Sequence, residues 1–132
     1  MKEILLISTR ILGAGQKKQW IIPQGDVEPW QTPLEAAENE AWEEAGVKGK
    51  FQNNPITFFT YSNHRMKYKV FCYSLEVMEE TIDWPEKNER SRIWINISEI
   101  ESKIKNQKLR TVFETFRTFM EKNERKFQNN YI

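Results

Sequence analysis

The stretch GDVEPWQTPLEAAENEAWEEAGV, residues 25–47, contains a helix whose two ends are both marked by sequence signals. Thr32 and Glu35 have the Thr-x-x-Glu spacing of a capping box, and Pro33 suits the first helical position. Gly46 is the residue expected just after the last turn, where the backbone needs a positive φ. The stretch therefore predicts a helix that begins at Pro33 and ends just before Gly46.

This helix presents small residues and carboxylates on adjacent faces. At about 100° per residue, one face holds an apolar stripe and the next holds Glu40, Glu43 and Glu44. The carboxylates repel one another, and the helix dipole disfavours the two in the last turn. Bound Mg²⁺ or Mn²⁺, which prefer hard oxygen ligands, would neutralise them. Clustered glutamates alone are also typical of a solvated helix face. The apolar stripe consists of Leu34, Ala37, Ala41 and Ala45.

The spacing around the helix resembles the Nudix box, in which a glycine, a glutamate, an Arg-Glu pair, a Glu-Glu pair and a final glycine recur at fixed distances. The resemblance covers 23 residues. It implies an α/β/α sandwich with a mixed sheet, and we expect one such domain over 1–132 with a polar tail from about 124. The matching positions are Gly25, Glu40, Glu43, Glu44, Gly46 and Val47, with Ala41 as a small version of the aliphatic position.

Two positions depart from the family pattern. Gln31 stands where the family has glutamate, and Asn39 stands where it has arginine. An amide pair can still form a hydrogen bond, and neither residue leaves an orphaned buried charge. The missing carboxylate at Gln31 favours slower turnover or an altered metal preference.

A longer resemblance, over about residues 3 to 116, is to the diphosphoinositol polyphosphate and diadenosine polyphosphate phosphohydrolase branch. Over a few residues, Pro23-Gln24-Gly25 is also similar to the RNA 5′-pyrophosphohydrolase branch. The family usually has a strand before the one that we predict at Glu3. Without that strand, a sheet edge is left open or is covered by a partner, such as a second copy in a homodimer.

The resemblance implies a metal-dependent hydrolase that cleaves a diphosphate bond in a small nucleotide or related substrate, of the dinucleoside polyphosphate type. Glu40, Glu44 and the backbone carbonyl of Gln24 correspond to metal ligands. Glu43 is our candidate for the base that takes the water proton, and for a further metal ligand. The alternatives are an RNA 5′-pyrophosphohydrolase, for which nucleic acid would be a partner, and a degenerate domain that binds nucleotide or protein without turnover.

Several other side chains are candidates for contact with substrate or metal. Arg10 matches a substrate-contacting arginine of the branch, and Arg65 and Arg92 are further candidates for binding phosphate. Trp30 either stacks on a base or covers the loop. Each of these residues is also compatible with an ordinary surface position. Weaker candidates are His64, Lys67 and Arg90 for phosphate, and Glu86 and Glu89 for metal.

Composition limits the class of protein. A chain of 132 residues suits one domain, and its net charge of +1 does not favour nucleic-acid binding by bulk electrostatics. The mean hydropathy of -0.74 disfavours a membrane protein. We recognise no signal peptide, and Cys72 in an alternating run predicts a buried thiol. A cytoplasmic location is the simplest expectation.

The rest of the chain predicts strands and two more helices. Before the helix we expect strands over 3–10 and 20–22, separated by a turn over 13–18. After it we expect strands over 47–51, 56–61, 68–77 and 92–97. A second capping box at Ser98 and Glu101 predicts a short helix. A last helix from about Leu109 carries an apolar stripe that is typical of a core face, followed by a polar, frayed tail after Asn123.

Overall fold

The described part of the chain consists of residues 3–11, 17–62 and 64–126 of a computed structural model, with side chains as far as Lys122. These residues form seven strands and three α-helices, with a 3-10 helix over Ile97–Glu99. The elements are β1 (Glu3–Ser8), β2 (Trp20–Ile21), α1 (Pro33–Ala45), β3 (Val47–Phe51), β4 (Thr57–Ser62), β5 (Lys67–Cys72), β6 (Leu75–Glu80), β7 (Arg92–Asn96), α2 (Ile100–Lys103) and α3 (Gln107–Lys126).

Strand β1 is the centre of the fold and is hydrogen-bonded on both sides. Its sheet has the order β2-β1-β7, while β3 pairs with β6 and β4 pairs with β5. Each of these pairs is antiparallel. The α/β class is confirmed, but the parallel pairing expected of a mixed sheet is absent among the described strands, because both neighbours of β1 run against it.

Alternate side chains of β1 enter two separate cores. Leu6 packs in a cluster with Ile104 of the segment after α2 and Phe113 of α3. The next residue, Ile7, packs in the other cluster with Ala41 and Ala45 of α1. Because successive residues of a strand point to opposite faces, β1 separates α1 from α2 and α3. This arrangement gives the helix–sheet–helix layering that the family resemblance implied.

Helix α1 has the predicted bounds, and its caps form as predicted. The Thr32 hydroxyl accepts from the Glu35 amide at 3.1 Å, and the Glu35 carboxylate accepts from the Thr32 amide at 2.9 Å. Gly46 has a φ of 67°. The buried face differs from the predicted stripe, since Ala36 is buried in place of Ala37.

The prediction of a single strand over residues 68–77 is wrong. The chain breaks at Tyr73 and Ser74, so that β5 pairs with β4 while β6 pairs with β3. The alternation of the sequence continues through the break, but the two halves belong to different strand pairs.

Asparagine side chains cap the 3-10 helix and the last helix, α3, but not α2. The Asn96 side chain accepts from the Ser98 amide at 2.9 Å, and α2 starts without the side-chain cap that we predicted from Ser98. The Asn106 side chain accepts from the amide of Lys108 at 2.9 Å, so α3 begins at Gln107, two residues before the predicted start. Helix α3 reaches Lys126, inside the predicted tail. The predicted turn over 13–18 lies mostly outside the described residues, as does 127–132.

Two further predictions concern membrane-spanning helices and the burial of Cys72. Among residues 3–11, 17–62 and 64–126, no helix has the length and hydropathy to cross a bilayer. Cys72 is buried as predicted, and burial raises the pKa of its thiol to about 11.

Candidate functional site

The site is built where the end of α1 meets the loop that precedes it. Glu44 is only 2% exposed, and its carboxylate accepts a hydrogen bond from the backbone amide of Gln24 at 3.2 Å. Gly25 follows directly, and a Cβ at this position would lie 2.3 Å from the carboxyl carbon of Glu40. Glycine therefore lets the loop backbone approach the glutamates closely, which explains the residue at the head of the sequence pattern.

Burial raises the pKa values of the Glu40 and Glu44 carboxylates. It raises the pKa of Glu44 to about 7, although Arg90 and the Gln24 amide favour the ionised form. Burial also raises the pKa of Glu40, and a hydrogen bond to Glu44 opposes this rise. One buried and one partly buried carboxylate thus have raised pKa values, and a cation bound between them would displace their protons.

Arg90 connects the helix to a later acidic residue. Its guanidinium lies 3.4 Å from the Glu44 carboxylate and 2.9 Å from Glu86, and it donates to the Ser8 carbonyl at 3.0 Å. The Glu86 amide donates to the Glu43 carbonyl at 3.0 Å. Glu86, which the sequence marked only weakly, thus lies beside the predicted glutamates, and Arg90 is a structural ion-pair partner rather than a solvated cation.

Arg10 lies at the outer side of this network. Its guanidinium reaches Glu86 at 3.2 Å, and half of its side chain is exposed. The hydrogen bond to Glu86 raises the pKa of Arg10. Glu86 therefore pairs with the buried Arg90 and with the half-exposed Arg10. The exposed part of the Arg10 guanidinium is accessible to an anionic ligand.

The two amides that replace the family's ion pair have separate partners. The Gln31 side-chain oxygen accepts a hydrogen bond from the Glu28 backbone amide at 3.1 Å. The Gln31 backbone amide donates to the Glu28 carbonyl at 2.9 Å, so these two bonds close a turn over residues 28–31. Asn39 donates to the Glu43 carboxylate at 3.3 Å. Instead of bonding to each other, Gln31 closes the turn with Glu28, and Asn39 contacts the carboxylate of Glu43.

Arg92 occupies a structural position rather than the predicted phosphate-binding one. Its guanidinium donates to the Ala45 carbonyl at 2.7 Å and to the Thr81 carbonyl, and it lies 4.0 Å from the ring centre of Trp84. The Trp84 ring in turn donates to the Glu44 carbonyl at 3.1 Å. These contacts satisfy carbonyls at the C-terminus of α1, where a cation also favours the helix dipole. The position of Arg92 therefore does not support substrate binding.

The remaining candidates lie on the surface. Arg65 and His64 lie in the turn between β4 and β5, a hairpin that contacts α3 through Lys108 and the Thr60 carbonyl at 2.7 Å. Trp30 is 78% exposed in the locked turn beside Gln31. Glu89 is exposed, and it adds to the negative charge around Arg10.

The donor chemistry of the site fits a hard divalent cation. Glu40, Glu43 and Glu44 supply carboxylate oxygens, and the absence of a Cβ at Gly25 lets the Glu40 carboxylate lie against the loop backbone. Within the described part of the chain, no three acidic, histidine or cysteine side chains lie close enough to hold one ion. Two of the glutamates instead have protein partners, Arg90 at Glu44 and Asn39 at Glu43.

Solved structures establish the fold class. The solution structure of the E. coli ORF135 protein superposes with a TM-score of 0.69, at 14% identity, over 89% of this chain and 81% of that one. A MutT structure from work on Aliivibrio salmonicida and Vibrio cholerae gives a TM-score of 0.53, at 16% identity, over 85% and 82%. At these identities the likeness concerns the fold alone: an α/β domain of the MutT kind.

The family follows from the sequence comparison. The model of the NUDIX domain matches residues 1–116. The chain therefore belongs to the Nudix family, and the resemblance that began with the acidic helix is confirmed.

Curated relatives are about one-third identical. Nudix hydrolase 13, mitochondrial, of Arabidopsis thaliana is 33% identical over 74% of this chain and 50% of its own length. Diphosphoinositol polyphosphate phosphohydrolase 2 of Rattus norvegicus is 35% identical over 74% and 51%. The chain thus spans about half the length of these relatives.

Proposed function

We propose that the chain is a metal-dependent hydrolase that cleaves a diphosphate linkage in a nucleoside polyphosphate or a related diphosphate, with dinucleoside polyphosphates as the favoured class. The observation that carries the proposal is the buried Glu44 beside Glu40 and the Gln24 backbone. Burying a carboxylate next to another one costs free energy, and a bound cation removes that cost.

The metal ligands in this proposal are Glu40, Glu44 and the backbone carbonyl of Gln24, with Glu43 as a further donor. When bound there, Mg²⁺ or Mn²⁺ would neutralise charge on phosphate oxygens and would lower the pKa of an attacking water. The hydrogen bond from Gln24 to Glu44 supports this set, since it fixes the loop backbone at the carboxylate.

The remaining roles fall to Glu43 and Arg10. Glu43 takes the proton of the attacking water, and the Asn39 amide at 3.3 Å orients its carboxylate. Arg10, held at its inner side by Glu86, binds a substrate phosphate with its exposed face. Arg65 at the β4–β5 turn is a second proposed phosphate contact.

The first test measures turnover. The protein is incubated with Mg²⁺ and dinucleoside polyphosphates, nucleotide sugars, inositol pyrophosphates, and capped or triphosphorylated RNA, and the released phosphate or nucleotide is measured. We expect hydrolysis of at least one class and a loss of about 10²–10⁴-fold in kcat for Glu43→Gln, since a positioned base contributes that much.

The matched control is Glu38→Gln, which removes an exposed carboxylate from the same helix and should leave kcat unchanged. Turnover by Glu43→Gln at the native rate would refute the role of Glu43. No turnover on any member of the panel would refute the hydrolase.

Gly25→Ala tests the close approach of the loop. The added Cβ would meet the flexible carboxyl end of Glu40 and not backbone, so Glu40 can move while the fold remains. We expect a small change in Tm without metal, and loss of most of the rise in Tm that Mg²⁺ gives the native protein. An unchanged response to Mg²⁺ would show that Glu40 does not bind metal beside Gly25.

A second candidate is a domain that binds nucleotide or protein without turnover. The ion pair between Arg90 and Glu44 favours it, because that charge is already neutralised by the protein itself. Nucleotide binding detected by calorimetry, combined with no turnover across the panel, would select this candidate.

A further inference from the structure

Positive charge is concentrated in one segment of the chain. Residues 45–75 contain five lysines and arginines and no aspartate or glutamate, although the whole chain has a net charge of only +1. The segment covers β3, β4 and β5. Such a run favours contact with a polyanion.

Within this segment, the hairpin of β4 and β5 has an outer face of aromatic and basic side chains. Phe58 and Phe71 are directly opposite each other and are 55% and 37% exposed. Further along the same face, Lys69 is opposite Thr60, and Lys67 lies beyond it at the start of β5. We call Phe58, Phe71, Lys67 and Lys69 the outer face.

The opposite face of the hairpin accounts for its packing. Tyr61 and Tyr68 stack there with ring centres 4.8 Å apart, and Lys108 of α3 lies 5.7 Å from Tyr61 and from Phe59. The outer rings are therefore not needed to attach the hairpin to α3, and they stay open to solvent.

Lys69 is placed for a combined contact with bases and phosphates. Its ammonium lies 4.2 Å from the ring centre of Phe58 and 5.2 Å from that of Phe71. A base that stacks on Phe58 would displace this flexible side chain from the ring face, and the ammonium would then lie near the phosphate of that nucleotide. Lys67 on the same side of β5 would meet a neighbouring phosphate.

We propose that the outer face binds single-stranded nucleic acid, with bases stacked on Phe58 and Phe71 and phosphates on Lys67 and Lys69. Exposed rings next to cations, in a segment whose sequence from 45 to 75 has no acidic residue, are the pattern that such strands require. A second copy of the chain fits less well, because two such faces would bring like charges together. The proposal does not rest on the hydrolase, since the outer face excludes the glutamates of α1.

The experiment uses fluorescence anisotropy with a 3′-labelled oligouridine of about twelve nucleotides that carries a 5′-hydroxyl. This probe has no diphosphate, so its binding is independent of turnover. We expect binding at low salt that weakens as salt rises. Phe58→Thr and Phe71→Thr should each raise Kd about ten-fold, because a stacked base is lost. Lys69→Gln should raise Kd and reduce the salt slope by about 0.7.

The controls are Met78→Thr, which removes an exposed apolar side chain from β6, and Lys103→Gln, which removes an exposed cation from α2. Neither should change Kd. Threonine suits a strand, and Phe58 is the more exposed ring, so Phe58→Thr and Lys69→Gln remain informative if Phe71→Thr does not fold.

Four results would overturn the proposal. They are no binding at low salt, a Kd that the outer-face variants leave unchanged, a dimer in sedimentation that Phe58→Thr dissociates, and binding to phosphatidylserine vesicles without binding to the oligonucleotide. Hydrolysis in the substrate panel can succeed or fail in any of these cases.

Discussion

Replacing Arg90 with methionine is expected to destabilise the fold by about 3 kcal/mol at about pH 8, which lowers Tm by about 10 °C. The side chain of Arg90 is 10% exposed, and it pairs with the carboxylates of Glu44 and Glu86, whose side chains are 3% and 13% exposed. Methionine fills much of the same volume but leaves Glu44 without its cationic partner and leaves Glu86 paired with Arg10 alone. Urea unfolding followed by circular dichroism measures the loss.

The loss should depend on pH through Glu44. Its pKa in the fold, about 7, is above the ordinary 4.5, so the native state binds the proton more tightly than the unfolded chain. Stability therefore falls as pH rises from about 4.5 to about 7, where the buried carboxylate ionises. Removing Arg90 raises this pKa further, so the variant loses more than the native protein above pH 7.

At about pH 5, where Glu44 is protonated in both proteins, we expect a smaller difference that reflects the lost contacts to Glu86 and to the Ser8 carbonyl. Equal destabilisation at both pH values would contradict the assignment to Glu44. Arg117→Met, which removes one exposed contact to a backbone carbonyl, is the matched control and should cost less than about 1 kcal/mol.

Replacing Arg92 with methionine is expected to cost about 3 kcal/mol at every pH from 5 to 8, since its hydrogen bonds are to backbone carbonyls, which do not titrate. The variant loses the donors to the Ala45 and Thr81 carbonyls, the contact with Trp84 and a 3.7 Å ion pair with the part-exposed Glu80. The C-terminus of α1 then loses the Arg92 hydrogen bonds that connect it to Thr81, in the segment before β7. Chemical denaturation at two pH values measures this prediction.

Arg92→Lys distinguishes charge from geometry. A lysine keeps the positive charge at the helix C-terminus but cannot donate in two directions from one plane. We expect it to recover less than half of the loss. Full recovery by lysine would show that the helix dipole, and not the paired carbonyl contacts, accounts for the role of Arg92.

Local signals decided what could be predicted of the fold. The bounds of α1 follow from Thr32 and Gly46, which act on their own neighbours in sequence. The break between β5 and β6 depends on which strands they meet, β4 and β3, and the residues around Tyr73 carry no sign of it. The start of α3 was predicted two residues too late, because the helix is capped by Asn106, which lies before the apolar stripe that begins at Leu109.

The same distinction applies to the site. Glu40, Glu43, Glu44 and Gly25 share one short stretch, so their spacing could be interpreted directly. The ion pair of Glu44 with Arg90 joins positions that are 46 apart in sequence, and it depends on the docking of the segment before β7 against the end of α1, where Glu86 bonds to Glu43 and Trp84 to Glu44. Arg92 looked like a surface cation for the same reason, since nothing near it in sequence indicates the end of α1.

Strand β1 makes the two cores one cooperative unit. Leu6 and Ile7 are adjacent, yet each closes a different core, and both are 0% exposed. A shift of β1 by one residue would exchange the two side chains and disrupt both layers at once. The layer that carries the glutamates therefore cannot melt while the layer of α3 persists, and the domain should unfold in a single all-or-none transition.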